Sequence, residues 1–258
     1  MNSTTQKFID ELVVAQKNKI LSIEILGSCE GENDLTISDI DFLIICKRKK
    51  DITSVFNTAL EIQEKIFKIN SSTIDKFVQR SFLASNNYGG IHLIVIGRDE
   101  LDDYFRPISL RLRLMTKLIG RNLFLYEIQQ CHQFVYGKNF ADEIKIEQPK
   151  FSEKLACFIF PSLVLALSLP TFLFHRRTFK IWCFKAIKYH TMSLQGFVTI
   201  TKQNYVLDNT MLKIAKVFRY KPDDYQENSM ILYLRAWKNI LRNVPFLFSK
   251  MQSLKSEL

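Results

Sequence analysis

Residues 39–46, Asp-Ile-Asp-Phe-Leu-Ile-Ile-Cys, form an apolar run opened by two carboxylates and closed by the cluster Lys47-Arg48-Lys49-Lys50. A short run rich in Ile and Phe reads as a strand buried in a sheet, and the basic cluster reads as its solvated end. A buried strand needs neighbours. Ile20 to Leu26 is one β-like run, stopping at Gly27-Ser28. Ile91 to Ile96 is another, announced by the turn signal Asn86-Asn87-Tyr88-Gly89-Gly90.

Helical spacing fills the gaps. Ser3-Thr4-Thr5 can cap a helix carrying Phe8, Ile9, Leu12, Val13 and Ala15. A second begins at Asp51 or Thr53 and carries Val55, Phe56, Leu60, Ile62 and Ile66. Arg98 to Ile119 is expected to be helical, with Leu101, Leu110, Leu112, Leu114, Met115 and Leu118 packing inward. From about residue 150 the pattern is helical and almost free of Gly. The expectation is an α+β fold: a small mixed-sheet domain over 1–125, then a helical-bundle domain over 126–258.

Hydrophobic content of 47% and charged content of 24% argue against disorder. The net charge of +10 is unevenly placed. Residues 1–130 hold 17 basic and 17 acidic side chains, leaving 36 − 17 = 19 basic and 26 − 17 = 9 acidic for 131–258. A second half with this surplus suits a polyanion or is a solvated Lys-rich surface. The five cysteines show no C-x-x-C pair, so neither a zinc site nor a disulfide framework is indicated, and a reducing cytoplasm fits. The first residues carry acidic side chains and no long apolar core, unlike a secretory signal.

Leu155 to Phe174 is uncharged and long enough to cross a membrane. Pro161 and Pro170 interrupt it, and Pro170 is expected to break the helix near its end. A buried central helix of the bundle is preferred to a membrane span.

The chemistry concentrates around the first strand pair. Side chains two apart on a strand share a face, so Asp39 and Asp41 present two carboxylates together. Such a pair resists ionisation unless a cation joins it, and Mg²⁺ prefers carboxylate, water and phosphate oxygens. Gly27 lets backbone approach a phosphate, and Ser28 can donate to one.

Gly27-Ser28, a loop, then Ser38-Asp39-Ile40-Asp41 opening an apolar strand resembles the DNA polymerase beta-like nucleotidyltransferase superfamily. One detail departs: Gly31 follows Ser28 by three residues where four are expected. The resemblance implies a nucleoside triphosphate substrate held by Gly27, Ser28 and Ser38. It also implies Mg²⁺ (or Mn²⁺) ligated by Asp39 and Asp41, with in-line transfer of a nucleoside monophosphate and release of pyrophosphate. The acceptor would be a hydroxyl or phosphate on RNA or tRNA, a protein or a small molecule.

That superfamily usually adds a third carboxylate on the next core strand, where this chain offers His92. A neutral imidazole can serve as general base, or His92 is a hydrogen-bonded structural residue, or turnover has been lost and only nucleotide or RNA binding remains. Asp75, Asp99, Glu100 and Glu153 are other carboxylates in range. Farther on, Arg176 to Tyr189 alternates cations and aromatics, with Phe179, Trp182, Cys183 and Ala186 able to face a core. Lys185 and Lys188 are candidate phosphate contacts, and Arg235, Lys238 and Arg242 repeat at helical spacing on a face that could meet RNA.

Overall fold

A computed structural model describes residues 3–26, 40–67, 91–140, 143–218 and 221–248. Its elements in chain order are α1 (Ser3–Gln16), β1 (Ile20–Leu26), β2 (Ile40–Cys46), α2 (Ile52–Phe67) and β3 (Ile91–Gly97). Then follow α3 (Leu110–Ile119), α4 (Arg121–Cys131), β4 (His132–Gly137), α5 (Phe151–Phe174) and α6 (Arg176–Thr201). The series closes with α7 (Thr210–Phe218), α8 (Ser229–Arg242) and α9 (Val244–Phe248). The architecture is α+β, with a mixed sheet and a helical C-terminal part, as the sequence pattern implies.

The sheet runs β3-β2-β1-β4. β1 is antiparallel to both neighbours, and β2 lies parallel to β3. Alternation sends Ile23 and Ile25, Phe42 and Ile44, and Leu93 and Val95 to one face, where they form a single core with Phe8 and Leu12 of α1 and Val55 and Ala59 of α2. Phe8 and Phe42 anchor it, ring centres 5.2 Å apart. Leu43 and Ile45, pointing the other way, are buried too. β2 is therefore covered on both faces, which is why its sequence lacks polar alternation.

β4 was not foreseen from the sequence. Its short run is interrupted by Gln133 and ends at Gly137, whose φ of 87° suits glycine. A Cβ there would come within 1.9 Å of the Leu21 carbonyl oxygen. The close approach of β4 to β1 needs this residue bare.

The expected helix over 98–119 is only half correct. Residues 98–100 form a 3-10 turn, and the α-helix starts at Leu110. Between them, the Asp102 carboxylate accepts from the Tyr104 and Arg106 backbone N–H groups and pairs with the Arg106 side chain. An Asp that captures its own following backbone replaces helix with turn. Leu101 and Leu112 are buried as expected, whereas Leu110 and Leu114 are exposed.

By packing, the chain forms two compact units. One comprises Met1–Thr116 and Leu125–Lys145, and the other comprises Lys117–Phe124 and Ile146–Leu258. The sequence boundary expected at 125 thus meets the start of a segment that packs with the sheet.

In the helical unit, α5 and α6 run alongside one another, and α6 also packs on α7 and α8. Phe158, Leu165, Phe179, Phe184, Leu194, Leu232 and Phe246 fill the core. Pro170 does not end α5: the helix passes through Pro161 and Pro170 to Phe174. Pro161 has no N–H to give the Cys157 carbonyl, and the His190 ring nitrogen bonds that carbonyl instead at 2.8 Å; near Pro170 the Ser168 and Thr171 hydroxyls donate to the Leu165 and Ser168 carbonyls at 2.7 and 2.6 Å. Nor is α5 a wholly buried helix. It is long and apolar enough to cross a membrane, yet only one of its faces is buried.

Candidate functional site

The antiparallel register of β1 and β2 pairs Leu26 with Asp41. Leu26 ends β1 and Asp41 is the second residue of β2, so the end of one strand lies beside the start of the other. The parallel register of β2 and β3 pairs Asp41 with His92. β4 completes a transverse row by pairing His132 with Leu26. Across four strands the row is therefore His132, Leu26, Asp41, His92.

Asp41 sits half-buried at the start of β2, next to the fully buried Phe42. A carboxylate at the lip of a dry core offers hard oxygen ligands on a rigid strand, which fits the donor chemistry of Mg²⁺. Gly27, Ser28, Ser38 and Asp39 lie outside the described residues, as does the His92 side chain. Among the described residues no group of three or more His, Cys, Asp or Glu is gathered for a metal.

One carboxylate in this unit was passed over in the sequence. Glu24 of β1 pairs with Leu43, one pleat inward from the Leu26–Asp41 pair, and is fully buried. It accepts from the Ser22 hydroxyl at 3.2 Å and from the Phe140 backbone N–H at 3.4 Å. Phe140 in turn packs on the Phe105 ring at 4.9 Å. The visible signal was a lone acid inside the run Ile20 to Leu26, since an acid is buried only with partners.

The other carboxylates weighed as bases have structural tasks. Asp99 accepts from the Lys49 backbone N–H at 2.6 Å. Glu100, buried, accepts from the Gly97 N–H at 3.1 Å. Glu153 accepts from the Asn122 backbone and side chain at 2.7 and 2.9 Å and from the Lys150 N–H at 3.0 Å. Asp75 lies outside the described residues.

No protein-family model matches this sequence, and comparison with curated proteins gives no significant match. Among solved structures there is a distant likeness. The chain is similar to spectinomycin adenyltransferase AAD(9) from Enterococcus faecialis, solved with ATP and spectinomycin. Identity is 12% and the TM-score 0.49, over 92% of this chain and 98% of that one. A likeness so distant assigns neither residues nor activity.

The cations of the helical unit divide by role. On α6, Phe179, Cys183 and Ala186 are buried as the alternation implied, and Trp182 packs at the core's margin. Lys180 donates to the Tyr225 and Pro222 carbonyls at 2.8 and 3.4 Å, tying α6 to the segment before α8. Lys185 and Lys188 are half-buried one turn apart. Arg235 and Arg242 pair with Glu227 at 2.8 Å and Asp208 at 2.6 Å. Two of the three cations expected to present a basic face to RNA are thus engaged within the fold.

Proposed function

We propose that this chain is a nucleotidyltransferase that moves a nucleoside monophosphate from a triphosphate to a hydroxyl or phosphate acceptor. The observation that supports the reading is the Leu26–Asp41 pairing, which sets the last residue of β1 beside the acidic residue near the start of β2.

In this reading Asp39 and Asp41 hold Mg²⁺, with Mn²⁺ an acceptable substitute. When bound, the ion neutralises charge on the triphosphate. Gly27 and Ser28, with Ser38, donate to phosphate oxygens. The acceptor oxygen forms its bond to the α-phosphorus as the bond to the pyrophosphate oxygen breaks. Pyrophosphate leaves with the electron pair, and His92 takes the acceptor's proton at a ring nitrogen. The setting is cytoplasmic, where the buried Cys46, Cys157 and Cys183 stay as thiols.

The test incubates the chain with each labelled NTP and Mg²⁺ against total RNA, total protein and a small-molecule hydroxyl panel. Label transfer that disappears in Asp39→Ala/Asp41→Ala supports the reading, and absence of transfer in every arm sinks it. His92, standing where a carboxylate is usual, favours a second reading: a nucleotide-binding protein without turnover. That alternative predicts Mg²⁺-dependent NTP binding in calorimetry with no pyrophosphate released.

A further inference from the structure

Helix α5 is apolar on both faces, and among the described residues only one face is packed against the rest of the chain. Cys157, Phe158, Pro161, Val164, Leu165 and Ser168 turn into the helical core. The opposite stripe carries Ile159, Leu163, Leu167, Leu173 and Phe174, and it is bare: Leu167 is 70%, Leu173 77% and Phe174 78% exposed. A continuous bare stripe of large aliphatics is unlike the scattered single residues of an ordinary surface. Between Lys154 and His175 the helix has no charged side chain.

The stripe ends in two arginines. Arg176 and Arg177 are exposed; Arg177 pairs with Asp223 at 3.2 Å, and the Arg176 guanidinium sits 5.9 Å from the Phe172 ring centre. An apolar stripe on a surface helix, closed by arginines and carried in a half with ten surplus positive charges, complements a lipid surface with anionic headgroups.

We propose that the exposed face of α5 adsorbs this protein to anionic membrane, the stripe lying at the boundary between headgroups and acyl chains and Arg176 on the phosphates. This is peripheral docking, since the other face of α5 stays packed in its own core. Two considerations place lipid ahead of a second copy of the chain. The stripe is about 22 Å long and about 10 Å wide, so it offers roughly a quarter of the ~800 Å² per partner that a stable dimer buries. Two copies would also bring like-charged halves together, whereas anionic lipid attracts them. The proposal is independent of the nucleotidyl-transfer reading.

Flotation of the full chain with vesicles tests it, using phosphatidylcholine alone or mixed with about one third phosphatidylglycerol. The expected result is flotation with the anionic vesicles, weaker with the neutral ones and weakened further by salt. Leu163→Glu/Leu167→Glu should reduce partition roughly tenfold or more, because two inserted aliphatics become charges. Both sites are exposed, so the unfolding midpoint should stay put; Arg176→Glu offers a second reading, weakening binding to the anionic vesicles alone. A chain left in solution with anionic vesicles overturns the proposal. So does undiminished flotation of the double variant, or carbonate-resistant insertion. A dimer in sedimentation that the double variant splits also overturns it, since a second copy would then cover the stripe.

Discussion

Asp41 of β2 and His92 of β3 are direct partners in a parallel register, one strand apart at the same end of the sheet. Such neighbours have Cα atoms about 5 Å apart, close enough for an imidazole and a carboxylate to serve one substrate. If His92 takes the acceptor's proton, His92→Gln lowers kcat about 100-fold or more and removes the acidic limb of the pH–rate profile. NTP affinity by calorimetry should change little, because His92 is not proposed to hold phosphate.

The Glu153 carboxylate joins the first turn of α5 to the start of α4 through three hydrogen bonds. Glu153→Ala should cost about 3 kcal/mol in urea unfolding, since it strands buried donors and removes an acid from a helix N-terminus. Any transfer activity of the folded fraction should persist. Selective loss of kcat at unchanged stability would mark Glu153 as part of the site after all.

Lys180 should contribute to stability and not to triphosphate binding. Lys180→Met removes the donor to the Tyr225 and Pro222 carbonyls and should lower stability by about 1–2 kcal/mol without raising KM for the triphosphate. Steady-state kinetics and thermal melts read both.

His190 should make the helical unit sensitive to acid. Its ring is buried; Nδ1–H donates to the Cys157 carbonyl at 2.8 Å while Nε2 accepts from the Asn243 amide at 3.0 Å, so both nitrogens are used by the neutral form. Burial drives its pKa down to about 4 from 6.5, against a smaller raising effect of the Cys157 hydrogen bond. Between these values the unfolded chain binds the proton and the folded one does not. Stability from this group is therefore complete above about pH 6.5 and is lost as pH falls toward 4, by at most about 3 kcal/mol. Urea midpoints from pH 7 down to 4.5 should fall more steeply for the parent than for His190→Gln.

Strands β1 and β2 were readable in the sequence because each is an apolar run of strand length, Ile20–Leu26 and Ile40–Cys46. Helix α6 was readable for a similar reason, its buried positions Phe179, Cys183 and Ala186 recurring at helical spacing. β4 was not, because its pairing depends on a distant partner, β1, and on Gly137 yielding to the Leu21 carbonyl. The turn at Asp102 was missed because the Leu spacing around it mimics a helix, while the deciding bonds come from one short side chain. Glu24 went unweighed because its partners, Ser22 and Phe140, include one 116 positions away.

The path of the chain between the two packing units has a practical consequence. It leaves the sheet unit after Thr116, contributes Lys117–Phe124 to the helical unit, and returns at Leu125 before leaving again after Lys145. No single cut can release either body whole. A fragment ending at residue 125 would lose β4 and turn Ser22–Leu26 of β1 into a naked edge, inviting self-association. Dissection of this protein therefore calls for permuted or internally relinked chains.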